Sequence, residues 1–152
     1  MHPLAAHLLK IIGVALAGLL AVVGIPLLGL AFFFSGTEDL CGNSPVLEVP
    51  SPSGNWKAVV FERNCGATTG FSTQVSVLGA KNSLPNEGGN LFVADTNQNA
   101  APSGPGGGPA VRVTWHGSSS LRIEHHPLAR VRRSEPSVNG VHVEYLPTRS
   151  DG

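Results

Sequence analysis

The sequence predicts an all-β fold, a small antiparallel sheet or sandwich, preceded by one N-terminal transmembrane α-helix. Three observations predict it: an uninterrupted apolar run near the start, short runs of alternating hydrophobicity after it, and Gly, Pro, Ser and Asn clusters between those runs. The chain has 152 residues, room for one compact domain once a membrane segment is set aside.

Charge divides the chain in the same way. Lys plus Arg and Asp plus Glu both number 10, so no global field draws the chain to nucleic acid, and no nucleic-acid partner is expected. Every acidic residue lies at Glu38 or later, while Lys10 is the only Lys or Arg before that point.

Residues 1–10 read as a cytoplasmic N-terminus, and 11–34 as the membrane helix. From Ile11 to Phe34 no residue is charged. As a helix the run would reach about 36 Å, against a hydrocarbon core of about 30 Å. A cleaved signal peptide is the rival. Its apolar region is shorter and ends at small residues, whereas this run ends in Phe32-Phe33-Phe34. Glu38-Asp39-Leu40 before Cys41 also disfavours lipoprotein processing. Lys10 before the helix against Glu38 and Asp39 after it orients the C-terminal part outward. The expected location is therefore the inner (cytoplasmic) membrane, single-pass, with the C-terminal domain in the periplasm or outside. Residues 11–34 make the lipid bilayer a partner. Gly13, Ala17 and Ala21 form a small-residue stripe through which a homodimer could pack, although Gly and Ala are common in membrane helices. Pro26 removes a backbone donor and predicts a kink.

Residues 35–45 read as a stalk, 46–147 as the extracytoplasmic β domain and 148–152 as a disordered tail. Candidate strands are Val46 to Val49, Trp56 to Arg63, Thr73 to Leu78, Leu91 to Asp95, Val111 to His116, Leu121 to His126, Leu128 to Arg133 and Val141 to Leu146. Val111, Val113 and Trp115 share a face, as do Leu121 and Ile123, and Val141, Val143 and Tyr145; these are the expected core. Arg112, Arg122, Glu124 and Glu144 take the opposite phase and can pair across strands. Asn139-Gly140 is the strongest hairpin signal, because both residues tolerate positive φ. Ser51 to Gly54 and Gly117 to Ser120 mark two more turns. LEVPSPSGNWKAVVF and VRVTWHGSSSLRIEH echo each other as strand, turn, strand, which suits a two-part sheet or sandwich. NEGG and APSGPGGGP read as mobile loops too rich in Gly and Pro to pack.

Cys41 and Cys65 are the only cysteines, and an oxidising compartment would join them, worth roughly 3 kcal/mol in the chain-entropy model. Two free thiols or an intermolecular bridge are the alternatives. No cofactor is implied and no metal site is expected: His116 and His126 would lie about 17 Å apart along a hairpin, and the neighbours His125 and His126 point to opposite faces. No catalytic residue is assigned, since G-x-S-x-G, H-E-x-x-H and P-loop patterns are absent from the sequence. Arg130, Arg132 and Arg133 could meet anionic lipid or polymer, but read first as a solvated strand face.

The stretch Asn64-Cys65-Gly66-Ala67-Thr68-Thr69-Gly70-Phe71-Ser72-Thr73-Gln74 packs small hydroxyl residues and glycines between two strands. Asn64, Thr68, Thr69, Ser72, Thr73 and Gln74 make it the candidate binding loop. SPSGNWKAVVFERNCGATTGFSTQVSV, with GNLFVAD, VRVTW and LRIEH, resembles small uncharacterised bacterial envelope proteins that share a domain of unknown function, and CGATTGFSTQ is its most specific part. The resemblance implies a bacterial envelope protein with Cys65 and the Thr-rich loop as family features, and no activity or ligand. The function expected is a binding or assembly module of the envelope, meeting an envelope protein or polymer. The alternatives are a small hydrolase or ligand-binding enzyme using the Thr68–Gln74 loop with His125 or His126 as base, and a structural membrane dimer.

Overall fold

The computed structural model describes residues 3–35, 41–66 and 70–148. The chain divides into two units, Met1–Asp39 and Leu40–Gly152. The N-terminal unit is helical: α1 (Pro3–Leu19), a π-helical turn (Leu20–Gly24) and α2 (Ile25–Ser35). Within it His7–Phe32 has a mean hydropathy of 2.7 over its most apolar stretch, with none of that stretch buried, and it is long enough to cross a bilayer. Leu9 is 74% and Val22 75% exposed, an apolar surface compatible with a helix that crosses a membrane.

Pro26 acts one turn earlier than a simple kink would. Because proline supplies no N–H, the backbone before it widens, and Ile25 N–H donates to the carbonyl of Leu20, a five-residue step.

The C-terminal unit is a two-sheet sandwich. Its strands are β1 (Gly42–Pro50), β2 (Trp56–Asn64), β3 (Ser72–Gly79), β4 (Phe92–Asp95), β5 (Val111–Trp115), β6 (Ser120–His125), β7 (Arg130–Ser134), β8 (Ser137–Val138) and β9 (Val141–Pro147). One sheet has the order β1-β2-β3-β4-β7, the other β5-β6-β9-β8. All eight expected strands are present. The first begins at Gly42, so residues 42–45 of the expected stalk belong to β1. The two echoing segments are the β1–β2 hairpin of one sheet and the β5–β6 hairpin of the other. Of the expected tail 148–152, Thr148 N–H donates to the His125 carbonyl, and 149–152 lie outside the described residues.

One pairing departs from the antiparallel expectation: β6 and β9 run parallel. Parallel neighbours cannot be joined by a tight turn and need a crossover. Here the chain leaves β6, adds β7 to the far edge of the other sheet, and returns through the short β8–β9 hairpin. Asn139 (φ 53°) and Gly140 (φ 79°) close that hairpin in the left-handed conformation their residue types predict. The crossover is what carries three arginines to a sheet edge.

Between the sheets, Ala58, Val60, Val75, Val77, Leu91, Phe92 and Ala94 meet Val113, Leu121, Ile123 and Val141. Two polar handles fasten the layers. Trp115 Nε1–H donates to the Val49 carbonyl at 2.9 Å, and the Tyr145 hydroxyl donates to the carbonyls of Glu135 (2.7 Å) and Leu91 (3.3 Å). Burial, with a smaller push from nearby Glu135, holds the Tyr145 hydroxyl above its ordinary pKa, so it remains a donor. On the solvent faces Arg112–Glu124 (3.9 Å) and Arg122–Glu144 (3.0 Å) form the cross-strand ion pairs expected.

The glycine-rich segments lie outside the strands, as expected, yet they pack. Gly104 N–H donates to the Gly108 carbonyl, and Gly108 and Pro109 are buried. Lacking a Cβ, these residues let backbone lie directly on backbone. Across the sheet, Asn90 pairs its amide with both Val77 N–H and Val77 C=O at 3.0 Å, and Asn43 Nδ2 holds the Pro85 and Glu87 carbonyls, so the 81–90 connection is laced onto the outer face of the first sheet. A Cβ on Gly108 would fall on the backbone nitrogen of Thr73 and 2.5 Å from its Oγ1. Gly108→Ala is therefore expected to destabilise the domain by about 1–3 kcal/mol, as overpacking does, read as a lowered midpoint of thermal unfolding.

Candidate functional site

The described part of the sequence-predicted loop does not stay together. Thr68 and Thr69 lie outside the described residues. Ser72, Thr73 and Gln74 are the start of β3, so strand alternation sends them to opposite faces. Thr73 is buried opposite Glu62 and Ala94, under Gly108. Ser72 and Gln74 take the outer face: Gln74 Nε2 donates to Ser72 Oγ at 2.9 Å, and Gln74 Oε1 accepts Gly89 N–H at 2.6 Å. Asn64 Oδ1 accepts Gly66 N–H at 2.9 Å and closes the end of β2. Cys41 and Cys65 are joined by a disulfide that ties the start of β1 to the end of β2.

Ser72 and Gln74 instead border an open cleft of about 970 Å³ on the outer face of the first sheet. Arg63, Phe71, Val93, Asp95, Thr96, Gln98, Asn99, Arg130, Arg132 and Arg133 complete its polar and apolar walls, with glycines beneath. Four guanidinium groups face one carboxylate. At neutral pH the lining carries three formal positive charges in excess, in a chain whose total charge is zero.

A single irregularity puts the arginines there. β4 and β7 pair Phe92 with Ser134, Val93 with Arg133, Ala94 with Val131 and Asp95 with Arg130, so Arg132 is an extra residue in β7. In a regular strand Arg132 and Arg133 would point to opposite faces. Alternation already sets Arg132 on the side of Arg130, and the extra residue brings Arg133 to that side as well, so Arg130, Arg132 and Arg133 all line the cleft.

Asp95 holds this arrangement. Its carboxylate accepts from Arg130 Nε at 3.0 and 3.1 Å, from Arg132 Nε at 2.9 Å and from the Asn97 backbone N–H at 2.8 Å. Arg133 Nη1 donates to the Gly89 carbonyl, and Arg63 Nη1 to Asn43 Oδ1. Among the described residues Arg132 bonds only through Nε, which leaves its terminal nitrogens as further donors at the cleft. After Asp95 the chain makes a left-handed turn in which Asn97, Gln98 and Asn99 have φ of 50°, 57° and 68°. Each such non-glycine residue costs on the order of 1 kcal/mol. The Asp95–Asn97 bond, Ala101 N–H on the Thr96 carbonyl and Asn97 Nδ2 on the Leu128 carbonyl hold it.

Neither histidine proposed as a base lines this cleft. His125 sits on the other sheet, its ring 5.4 Å from that of Phe92 and its Nδ1 3.1 Å from the His126 carbonyl. His126 Nδ1 accepts Leu128 N–H. The cleft combines cations, amides, hydroxyls, one carboxylate and an aromatic residue, a lining that suits holding an anion. Sequence reasoning saw the arginines but set them aside as a solvated face, and it missed Arg63, Asp95, Gln98 and Asn99. No family model matches the chain, nor does any curated protein or solved structure.

Partial burial raises the Asp95 pKa, but hydrogen bonds from Arg130, from Asn97 N–H and from Arg132 outweigh it, and the carboxyl is held below its ordinary value. A carboxyl whose native pKa is depressed contributes stability that is full above the unfolded value of about 4 and is lost as pH falls through the native value. Asp95→Asn should cost about 1 kcal/mol at pH 7 and flatten the loss of stability below about pH 4, seen by comparing denaturant midpoints of the two proteins across that range.

Proposed function

We propose that this chain is a single-pass membrane protein that holds a non-enzymatic β module on the outer side of the cytoplasmic membrane, and that the module binds an anionic component of the envelope in the arginine-lined cleft. The observation that carries the reading is the bulge that gathers Arg130, Arg132 and Arg133 beside Arg63. Three supports concern the compartment. Lys10 precedes the apolar helix while Glu38 and Asp39 follow it, the Cys41–Cys65 disulfide persists where thiols are oxidised, and the CGATTGFSTQ stretch resembles small bacterial envelope proteins.

Topology and binding are tested separately. In intact cells a membrane-impermeant maleimide should label neither cysteine before reduction and both after treatment with an impermeant reductant; labelling that requires lysis contradicts the outward orientation. For binding, the full chain in neutral detergent at pH 7 carries no net charge, so retention on a sulfopropyl resin reports a localised positive site. Arg132→Ala/Arg133→Ala should elute at clearly lower salt than the parent. Equal elution contradicts an anion-binding cleft.

A further inference from the structure

The cleft holds more than cations. A lone oxyanion needs a few donors and little room, whereas this space of about 970 Å³ is at the upper end of sites that enclose organic ligands. Phe71, 48% exposed, stands in its wall. Phe71 is also backed on one side: a Cβ on Gly107 would come 3.0 Å from its Cγ and Cδ2, so the glycine lies against the ring. An exposed aromatic side chain backed by a glycine offers a platform for a flat apolar face. Opposite charge is supplied by Arg132, whose terminal nitrogens have no protein partner among the described residues, and by Arg133, anchored through Gly89. Hydroxyl and amide groups of Ser72, Thr96, Gln98 and Asn99 add neutral donors and acceptors, two of them on a backbone turn held against its own preference.

We infer that the cleft takes an acidic saccharide, a glycan segment whose ring lies on Phe71, whose carboxylate is gripped by Arg132 and Arg133, and whose hydroxyls meet Gln98 and Asn99. A planar carboxylate matches the guanidinium fork in two parallel hydrogen bonds, which a point-like cation would not provide. A phospholipid headgroup would use the arginines alone and leave the aromatic platform and the amide-bearing turn without a role. The inference rests on the anion-binding reading of the same cleft.

Binding is measured by calorimetry on the full chain in nanodiscs of zwitterionic lipid, with trigalacturonate as the probe. The acid should bind, and its methyl ester, which keeps the rings and loses the charges, should bind at least about tenfold more weakly. Arg132→Ala and Phe71→Ala should each weaken trigalacturonate about tenfold, while Phe71→Tyr restores binding. Equal affinity for acid and ester, or no effect of Phe71→Ala, overturns the inference. So does a preference for phosphatidylglycerol vesicles over the uronide, which assigns the arginines to lipid. Normal resin retention with no uronide binding removes the saccharide and leaves the anion site standing, whereas loss of both removes the two together.

Discussion

The Asp95 carboxylate is the point at which three separate pieces of chain are held to one another. It ends β4, receives Arg130 and Arg132 from β7, and receives the Asn97 N–H that begins the left-handed turn. β7 needs such a hold: it is an edge strand with all five residues exposed, and burial contributes little to keeping it in place. With two arginines pulled onto one carboxylate, the mutual repulsion of the cluster is reduced while net positive charge remains. The same contact thus secures the sheet edge, fixes the turn that carries Gln98 and Asn99, and sets the field of the cleft.

Topology explains why that edge exists. The parallel pairing of β6 with β9 obliges the chain to cross between sheets, and β7 is the strand of that crossing. The bulge at Arg132 then does two things at once. It interrupts the regular edge that another strand could pair with, and it brings successive arginines to one side.

Much of the fold was legible in the residues. The apolar run, the eight strands, the alternation that buries Leu121, Ile123 and Val141, and the Asn139-Gly140 turn all follow from local periodicity and local φ preferences. What local pattern cannot carry is partnership. Nothing between Leu121 and Tyr145 announces that β6 and β9 run parallel, because alternation is the same in either direction. The site was less legible for the same reason. Arg132 and Arg133 read as alternating until the register with β4 makes one of them extra, and Asp95 lies 35 residues from Arg130 in sequence. The glycine segments misled differently: absence of side chains suggested that they could not pack, whereas it is what lets Gly107 and Gly108 lie on Phe71 and Thr73.

The arginine clamp on Asp95 can be observed directly through the Nε–H resonances of the arginine side chains in the full protein. The account predicts that Arg130 and Arg132 give resolved, exchange-protected signals, and that Asp95→Asn shifts and broadens those two while the signals of Arg63 and Arg133 hold their positions. Arg130 and Arg132 signals that are solvent-averaged in the parent, or unchanged by the substitution, would contradict it.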